Sequence, residues 1–169
     1  SMTYVVTRPD MQLLVSEACG TYRAAQDAEV LRAAELILLS AIFERVSLDT
    51  PPLVCNHLRV WIGNLPHEVF AVLFLDAQHR LIEHEIMFRG TLTQTSVYPR
   101  EIVKRCMELN AAAVILAHNH PSGVTTPSNA DKALTQSLKA ALAMVDVRVL
   151  DHIIVAPCGT TSMAQAGLM

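Results

Sequence analysis

The sequence predicts an α/β fold in which a mixed β-sheet is sandwiched by helices and preceded by a long N-terminal helix. Three observations predict it. The chain has 169 residues, enough for one domain of ordinary size and too few for two full ones. Apolar residues make up 51% and charged residues 17%, which excludes intrinsic disorder and supplies a core without disulfide or metal staples. After residue 66, apolar runs of strand length alternate with segments of helical periodicity, the pattern of helices packed on a sheet.

The elements follow in order. Residues 2–20 are mixed in character and end in a Gly, which predicts a loosely held arm; Ser1 ahead of Met2 reads as a cleavage remnant. Thr21–Val46 predicts one helix, because Ala28, Leu31, Glu35, Leu38 and Ile42 recur at spacings of three and four. Val30, Ala34, Ile37 and Ala41 fill the adjacent stripe, and this wide apolar arc suits packing within the chain as well as a homodimer. Pro51-Pro52 ends that segment, since neither residue donates a backbone hydrogen bond. Leu53–Ile62 predicts a short helix closed by Gly63-Asn64 and Pro66. Residues 1–49 thus form an arm and helix, and residues 50–169 the sheet domain.

Glu68–Asp76 (EVFAVLFLD) holds a run of apolar residues between acidic ends, the signature of a strand buried on both faces. Leu81–Phe88 predicts a second strand, joined through Ala77-Gln78-His79, and Gly90–Tyr98 a polar connection. Pro99 suits the first turn of a helix whose apolar face is Ile102, Val103, Cys106 and Leu109 and whose stop is Asn110. Ala112–Ala117 predicts a short apolar strand that runs into the loop-forming stretch His118–Gly123. Ser128 opens a helix to about Val145, followed by a strand at Val147–Val155 and a tail through Gly159.

Charge and cysteine usage narrow the class. Thirteen Lys and Arg against sixteen Asp and Glu give a net charge of −3, the opposite sign from a protein that grips phosphate backbones. Four cysteines without a CxxC pair exclude a zinc knuckle and a thioredoxin-type motif, and read as core or half-buried thiols in a reducing compartment. The longest uncharged apolar run is about ten residues, short of the ~18 that cross a bilayer, and no signal peptide is visible. A soluble cytoplasmic protein is expected.

The segment that carries chemistry is His118-Asn119-His120, followed by Ser128-Asn129-Ala130-Asp131. Two His at i and i+2 on an extended strand end project to the same side and can hold one metal ion. An Asp brought round by the following loop supplies a third ligand. Two imidazoles and a carboxylate suit zinc, and three protein ligands leave the fourth position for a water that deprotonates near neutral pH. An HxH pair alone arises by chance in such a chain about a third of the time. Ser and Asp at these further spacings lower that to on the order of one in a thousand. Ser128-x-x-Asp131 also reads as a helix N-cap with an acid in the first turn, which is compatible with ligation.

The pattern E…HxHx7SxxD is similar to the signature of JAMM (MPN-type) metallopeptidase-like domains. VYPREIVKRCMELNAAAVILAHNHPSGVTTPSNAD, with LDHIIV downstream, closely resembles the RadC-like bacterial branch of that family over roughly Glu68–Met169. The resemblance implies a cytidine-deaminase-like α/β sandwich with one zinc per chain, His118, His120 and Asp131 as ligands, and Ser128 helping to hold the water and the developing oxyanion. It implies a general base upstream of the first His, where Glu68 opens an apolar strand; Glu83 and Glu85 compete for that role or are solvated strand positions. Longer RadC members carry a helix-hairpin-helix-like region, where this chain reads as an arm and one helix.

Three functions follow from this. The leading one is a zinc-dependent hydrolase of the peptidase type, in which Glu68 activates a metal-bound water against a peptide or protein substrate of unknown identity. A RadC-associated DNA-repair role on or near nucleic acid is disfavoured by the net charge and by the 5% aromatic content. The third is a catalytically silent zinc-containing binding module. Asp151-His152 reads either as a pair orienting a ligand or as a structural pair. His57, His67, His79 and His84 read as surface or satisfied polar groups, and Arg100, Lys104 and Arg105 as a small basic cluster on a helix.

Overall fold

A computed structural model describes the backbone of residues 4–7, 12–16, 21–45, 51–90 and 96–169. The chain divides into two compact units, Ser1–Ile37 and Leu38–Met169. In the first, β1 (Tyr4–Thr7), β2 (Gln12–Ser16) and β3 (Tyr22–Ala24) pair antiparallel in that order, with Val5 opposite Leu14 and Val15 opposite Arg23. The expected arm therefore contains two strands, and the helix expected from Thr21 starts only at α1 (Asp27–Arg45). The Val5-Val6 and Leu13-Leu14-Val15 runs favour extended backbone. Arg23 in the middle of β3 clasps Glu29 with two hydrogen bonds of 2.6 and 2.7 Å, and Glu29 also accepts from the Gln26 N–H. These contacts lower the Glu29 carboxyl to about 2 and fix where the helix begins. The expected helix end at Val46 lies outside the described residues.

In the second unit, α2 (Pro51–Ile62) opens at the Pro pair itself. A Pro in the first helical turn lacks only an N–H that would have had no intrahelical partner, so the pair read as a stop also serves as a start. The sheet comprises β4 (Val69–Leu75), β5 (Leu81–Arg89), β6 (Ala113–Asn119), β7 (Arg148–Ala156) and β8 (Gly159–Ser162), in the order β5-β4-β6-β7-β8. Only β6 and β7 run parallel, so the sheet is mixed as expected; β8, read from the sequence as a tail, is an added edge strand. Helix α3 (Pro99–Glu108) precedes β6, and α4 (Asn129–Ala143) crosses from β6 to β7.

Every residue of β4 is buried, because both faces of the sheet are covered. Val69, Ala71, Leu73 and Leu75 share one core with Val54, Leu58 and Ile62 of α2. Phe70, Val72 and Phe74 share the other with Ile102 and Cys106 of α3 and Leu138 and Leu142 of α4. Asn110 stops α3 as its sequence position predicts. It takes φ 50°, while its N–H and that of Ala111 bond the Met107 and Cys106 carbonyls at 3.3 and 2.9 Å. Burial pushes the Cys106 thiol up to about 11 and Cys55 is half-buried, but Cys158 is exposed, against the expectation of buried thiols; Cys19 lies outside the described residues. None of the described helices is long and apolar enough to cross a membrane.

His57 departs from the expectation of a surface or satisfied group. It is fully buried on α2, its Nε2 lies 3.1 Å from His84 Nδ1, and its Nδ1 has no hydrogen-bond partner among the described residues. Burial, reinforced by His84, lowers its pKa to about 4, so the folded chain holds it neutral. An unfolded His titrates near 6.5, so the stability tied to this neutral ring is present above that value and is lost as pH falls toward 4. Urea unfolding should show wild type losing about 2 kcal/mol more than His57→Phe between about pH 7.5 and about pH 5. Equal pH dependence in the two proteins contradicts the assignment.

Candidate metal centre

The centre is built on β6. Side chains alternate along it, so Val114, Leu116 and His118 face α3 and α4, and Asn119 falls on the α2 side. The strand continues two residues beyond the expected Ala117, which places the first His of the HxH pair within it. His120 follows directly, and its N–H bonds the Val155 carbonyl at 2.8 Å, so the backbone stays beside β7. The Nε2 atoms of His118 and His120 are 2.9 Å apart.

Helix α4 delivers Asp131. Its Oδ1 lies 3.2 Å from His118 Nε2 and its Oδ2 3.8 Å from His120 Nε2. The Asp131 backbone N–H donates to Ser128 Oγ, while the Ser128 N–H and hydroxyl both donate to Asp131 Oδ2 at 2.7 Å. This is a reciprocal capping box that uses Asp in place of the usual Glu. The capping reading of Ser128-x-x-Asp131 and the ligand reading thus coexist, because the cap is what aims the carboxylate. Burial works against the Asp131 charge, but its contacts with His118 and Ser128 outweigh it and hold the carboxyl far below the usual carboxylate range.

The donor set fits a divalent ion. One ligand atom from each of His118, His120 and Asp131 lies within 4.8 Å of the other two. His120 Nδ1 is 2.7 Å from the Val124 carbonyl, which only accepts, so the proton is on Nδ1 and the Nε2 lone pair faces His118 and Asp131. Ligands about 2.0–2.1 Å from a shared tetrahedral ion stand about 3.3 Å apart, close to the separations seen here.

The three side chains line a cavity of about 470 Å³ together with Glu68 and Ser128, and Phe70, Val97 and Leu134 form its apolar wall. Glu68 immediately precedes β4, and its carboxylate has no hydrogen-bond partner among the described residues. Glu83 and Glu85 do not line the cavity. They pair with Phe74 and Val72, farther along the sheet from the Phe70–His118 pair. Glu85 is held by Arg105, and Glu83 accepts from the His84 N–H.

A model of the RadC-like JAB domain matches residues 48–168. The chain belongs to the RadC-like JAB family. Similar proteins include the UPF0758 proteins of Leptothrix cholodnii and Polaromonas sp., each 57% identical over 150 residues. Those alignments cover 89% of this chain and 68% and 67% of the two relatives. The UPF0758 protein of Methylibium petroleiphilum is also 57% identical. RadC-like JAB chains are JAMM-type, the family whose motif the sequence resembles.

Two residues at this RadC-like centre, Asn119 and Thr135, escape sequence reasoning, and a third, His152, is legible there only as half of a pair with Asp151. Asn119 is fully buried; its Oδ1 accepts the Val69 N–H at 2.7 Å and its Nδ2 donates to the His67 carbonyl at 3.0 Å. It therefore clamps the backbone on both sides of Glu68. His152 and Thr135, also fully buried, contact each other, and His152 contacts His118. Asp151, weighed with His152 as a pair, instead accepts from the Ser162 hydroxyl and the Ala164 N–H, holding β7 to the turn after β8. An Asn inside an otherwise apolar strand is the one available signal, since a buried amide needs partners.

Urea unfolding tests the clamp and the cap separately. Asn119→Ala strands the Val69 N–H and should destabilise by about 1–3 kcal/mol. Ser128→Ala should cost about 1 kcal/mol as a lost N-cap. An Asn119→Ala protein as stable as wild type contradicts the clamp.

Proposed function

We propose that this RadC-like JAB chain is a zinc-dependent hydrolase of the metallopeptidase type, acting on an amide bond in a peptide or protein in the cytoplasm. The observation that carries the proposal is the convergence on one cavity of two imidazoles, an ionised carboxylate, a hydroxyl and a Glu with no partner among the described residues. When bound, zinc supplies the Lewis acidity that makes a water nucleophilic and polarises the scissile carbonyl.

His118, His120 and Asp131 would hold the ion. Glu68 takes a proton from the attacking water and returns it to the departing amine, for which it needs a free lone pair within hydrogen-bond reach. Ser128 keeps Asp131 oriented through its backbone N–H, so its hydroxyl can leave the carboxylate for the developing oxyanion without releasing the ligand. The wall of Phe70, Val97 and Leu134 excludes water from one side and accepts apolar substrate surface.

Charge favours this over a nucleic-acid substrate. None of the described residues lining the cavity is Lys or Arg. The basic cluster on α3 is also matched by carboxylates: Arg105 by Glu85 and Glu108, Lys104 by Glu108, and Arg100 by Glu101. Phosphate backbones need unmatched cations.

Elemental mass spectrometry of the purified chain should find one zinc, lost in His118→Ala, His120→Ala and Asp131→Ala. A peptide mixture digested by the zinc-loaded chain, read by mass spectrometry, should be cleaved about 10²–10⁴-fold more slowly by Glu68→Gln, with zinc content kept. Stoichiometric zinc in His118→Ala overturns the ligand set. Zinc-loaded wild type that cleaves neither peptides nor isopeptides points to a silent binding module.

A further inference from the structure

We infer that His152 and Thr135 form a buried relay that sets the tautomer of His118 and presents its Nε2 lone pair to the metal. The inference rests on the metal reading of the centre and not on the reaction proposed for it.

The relay begins at the Thr135 hydroxyl, 2.6 Å from the Asp131 backbone carbonyl and 2.6 Å from His152 Nδ1. A carbonyl carries no proton, so the single hydroxyl proton lies between Oγ1 and the Asp131 oxygen. The contact with His152 then needs a proton from the ring, which places it on Nδ1 and leaves Nε2 bare. That bare nitrogen is 2.8 Å from His118 Nδ1, which must therefore be the protonated nitrogen of its ring. His118 Nε2 is left bare in turn, aimed at His120 Nε2 and Asp131 Oδ1.

A proton count over the whole chain of contacts leads to the same place. Between the Val124 and Asp131 carbonyls run five contacts: Val124 to His120, His120 to His118, His118 to His152, His152 to Thr135, and Thr135 to Asp131. Three neutral imidazoles and one hydroxyl supply four protons. One contact must lack a proton, and both ends of the chain assign the lack to the meeting of His118 and His120, where the Asp131 carboxylate also points. Thr135 and His152 are fully buried, at 0% accessibility, so bulk solvent does not reach either partner. The relay ends on the backbone of Asp131, so the turn that aims the third ligand also determines which nitrogen of the first is bare.

Metal-free chain labelled with 15N-histidine, studied by long-range proton–nitrogen correlation near neutral pH, should show His118 protonated at Nδ1. Thr135→Val should move part of that population to the Nε2–H form, and a chromophoric chelator competition should show zinc bound about 10- to 100-fold more weakly. His152→Leu should weaken zinc similarly. His152→Gln, whose amide oxygen can accept from His118 Nδ1–H, should recover most of the affinity. A purely structural role predicts no tautomer change and no rescue. An Nε2–H tautomer in metal-free wild type overturns the relay, as does wild-type zinc affinity in folded Thr135→Val and His152→Leu. The wild-type spectrum decides the point even where a variant does not fold. Wild type that takes up no zinc overturns the metal reading instead, whatever its tautomer.

Discussion

The alternation of side chains along β6 is the constraint on which the centre depends. A strand buried between two helical layers gives each successive residue to an opposite face. His118 therefore joins the α3 and α4 side, where Asp131 arrives, while Asn119 reaches the opposite side and bonds the backbone flanking Glu68. One residue step thus joins the two halves of the centre, the ligands and the acid. A register slip of one residue would exchange the two roles and destroy both.

Polar groups in such a core are costly unless each finds a partner. On the α3 and α4 side of the sheet they are gathered into one connected set in place of scattered pairs. Thr135, His152 and His118 occupy positions on the face that elsewhere holds Phe70, Leu116 and Leu138. Phe70 lies against the ring of His118, with centroids 6.3 Å apart, and edge-on to His152 at 5.5 Å. The apolar surroundings sharpen every hydrogen bond of the set and penalise any missing one, so the geometry is held more tightly than a solvated cluster could hold it. Burial also keeps His152 neutral, lowering its pKa to about 3.

Much of this was legible in the sequence because it arises from local chemistry. The apolar run of β4, the Asn110 stop, the HxH spacing and the Ser128 cap are each determined within a few residues of their position. The features that sequence reading missed depend on contacts across the fold. Thr135 lies within a helical period, and the Asp151-His152 pair leaves open whether it orients a ligand, because only the parallel pairing of β6 with β7 brings His152 next to His118. The strands before α1 were hidden for another reason: each is short, and the apolar stripe of the helix extends backward by periodicity into residues that instead pair with β2. Likewise β8 has only four residues, Gly159–Ser162, none of them strongly apolar.

The three upstream acids show how the fold separates structural carboxylates from one available for chemistry. Glu85 spends its lone pairs on the Arg105 guanidinium, and Glu83 spends one on its neighbour's N–H. A carboxylate committed to a guanidinium is not free to turn toward a substrate. Glu68 is the reverse case. The bonds that Asn119 makes to His67 and Val69, together with the Gly90 N–H donating to the Glu68 carbonyl, fix its backbone, while its side chain is committed to nothing among the described residues. A rigid main chain carrying an uncommitted carboxylate into a cavity lined by metal-type ligands is what proton transfer at that cavity requires.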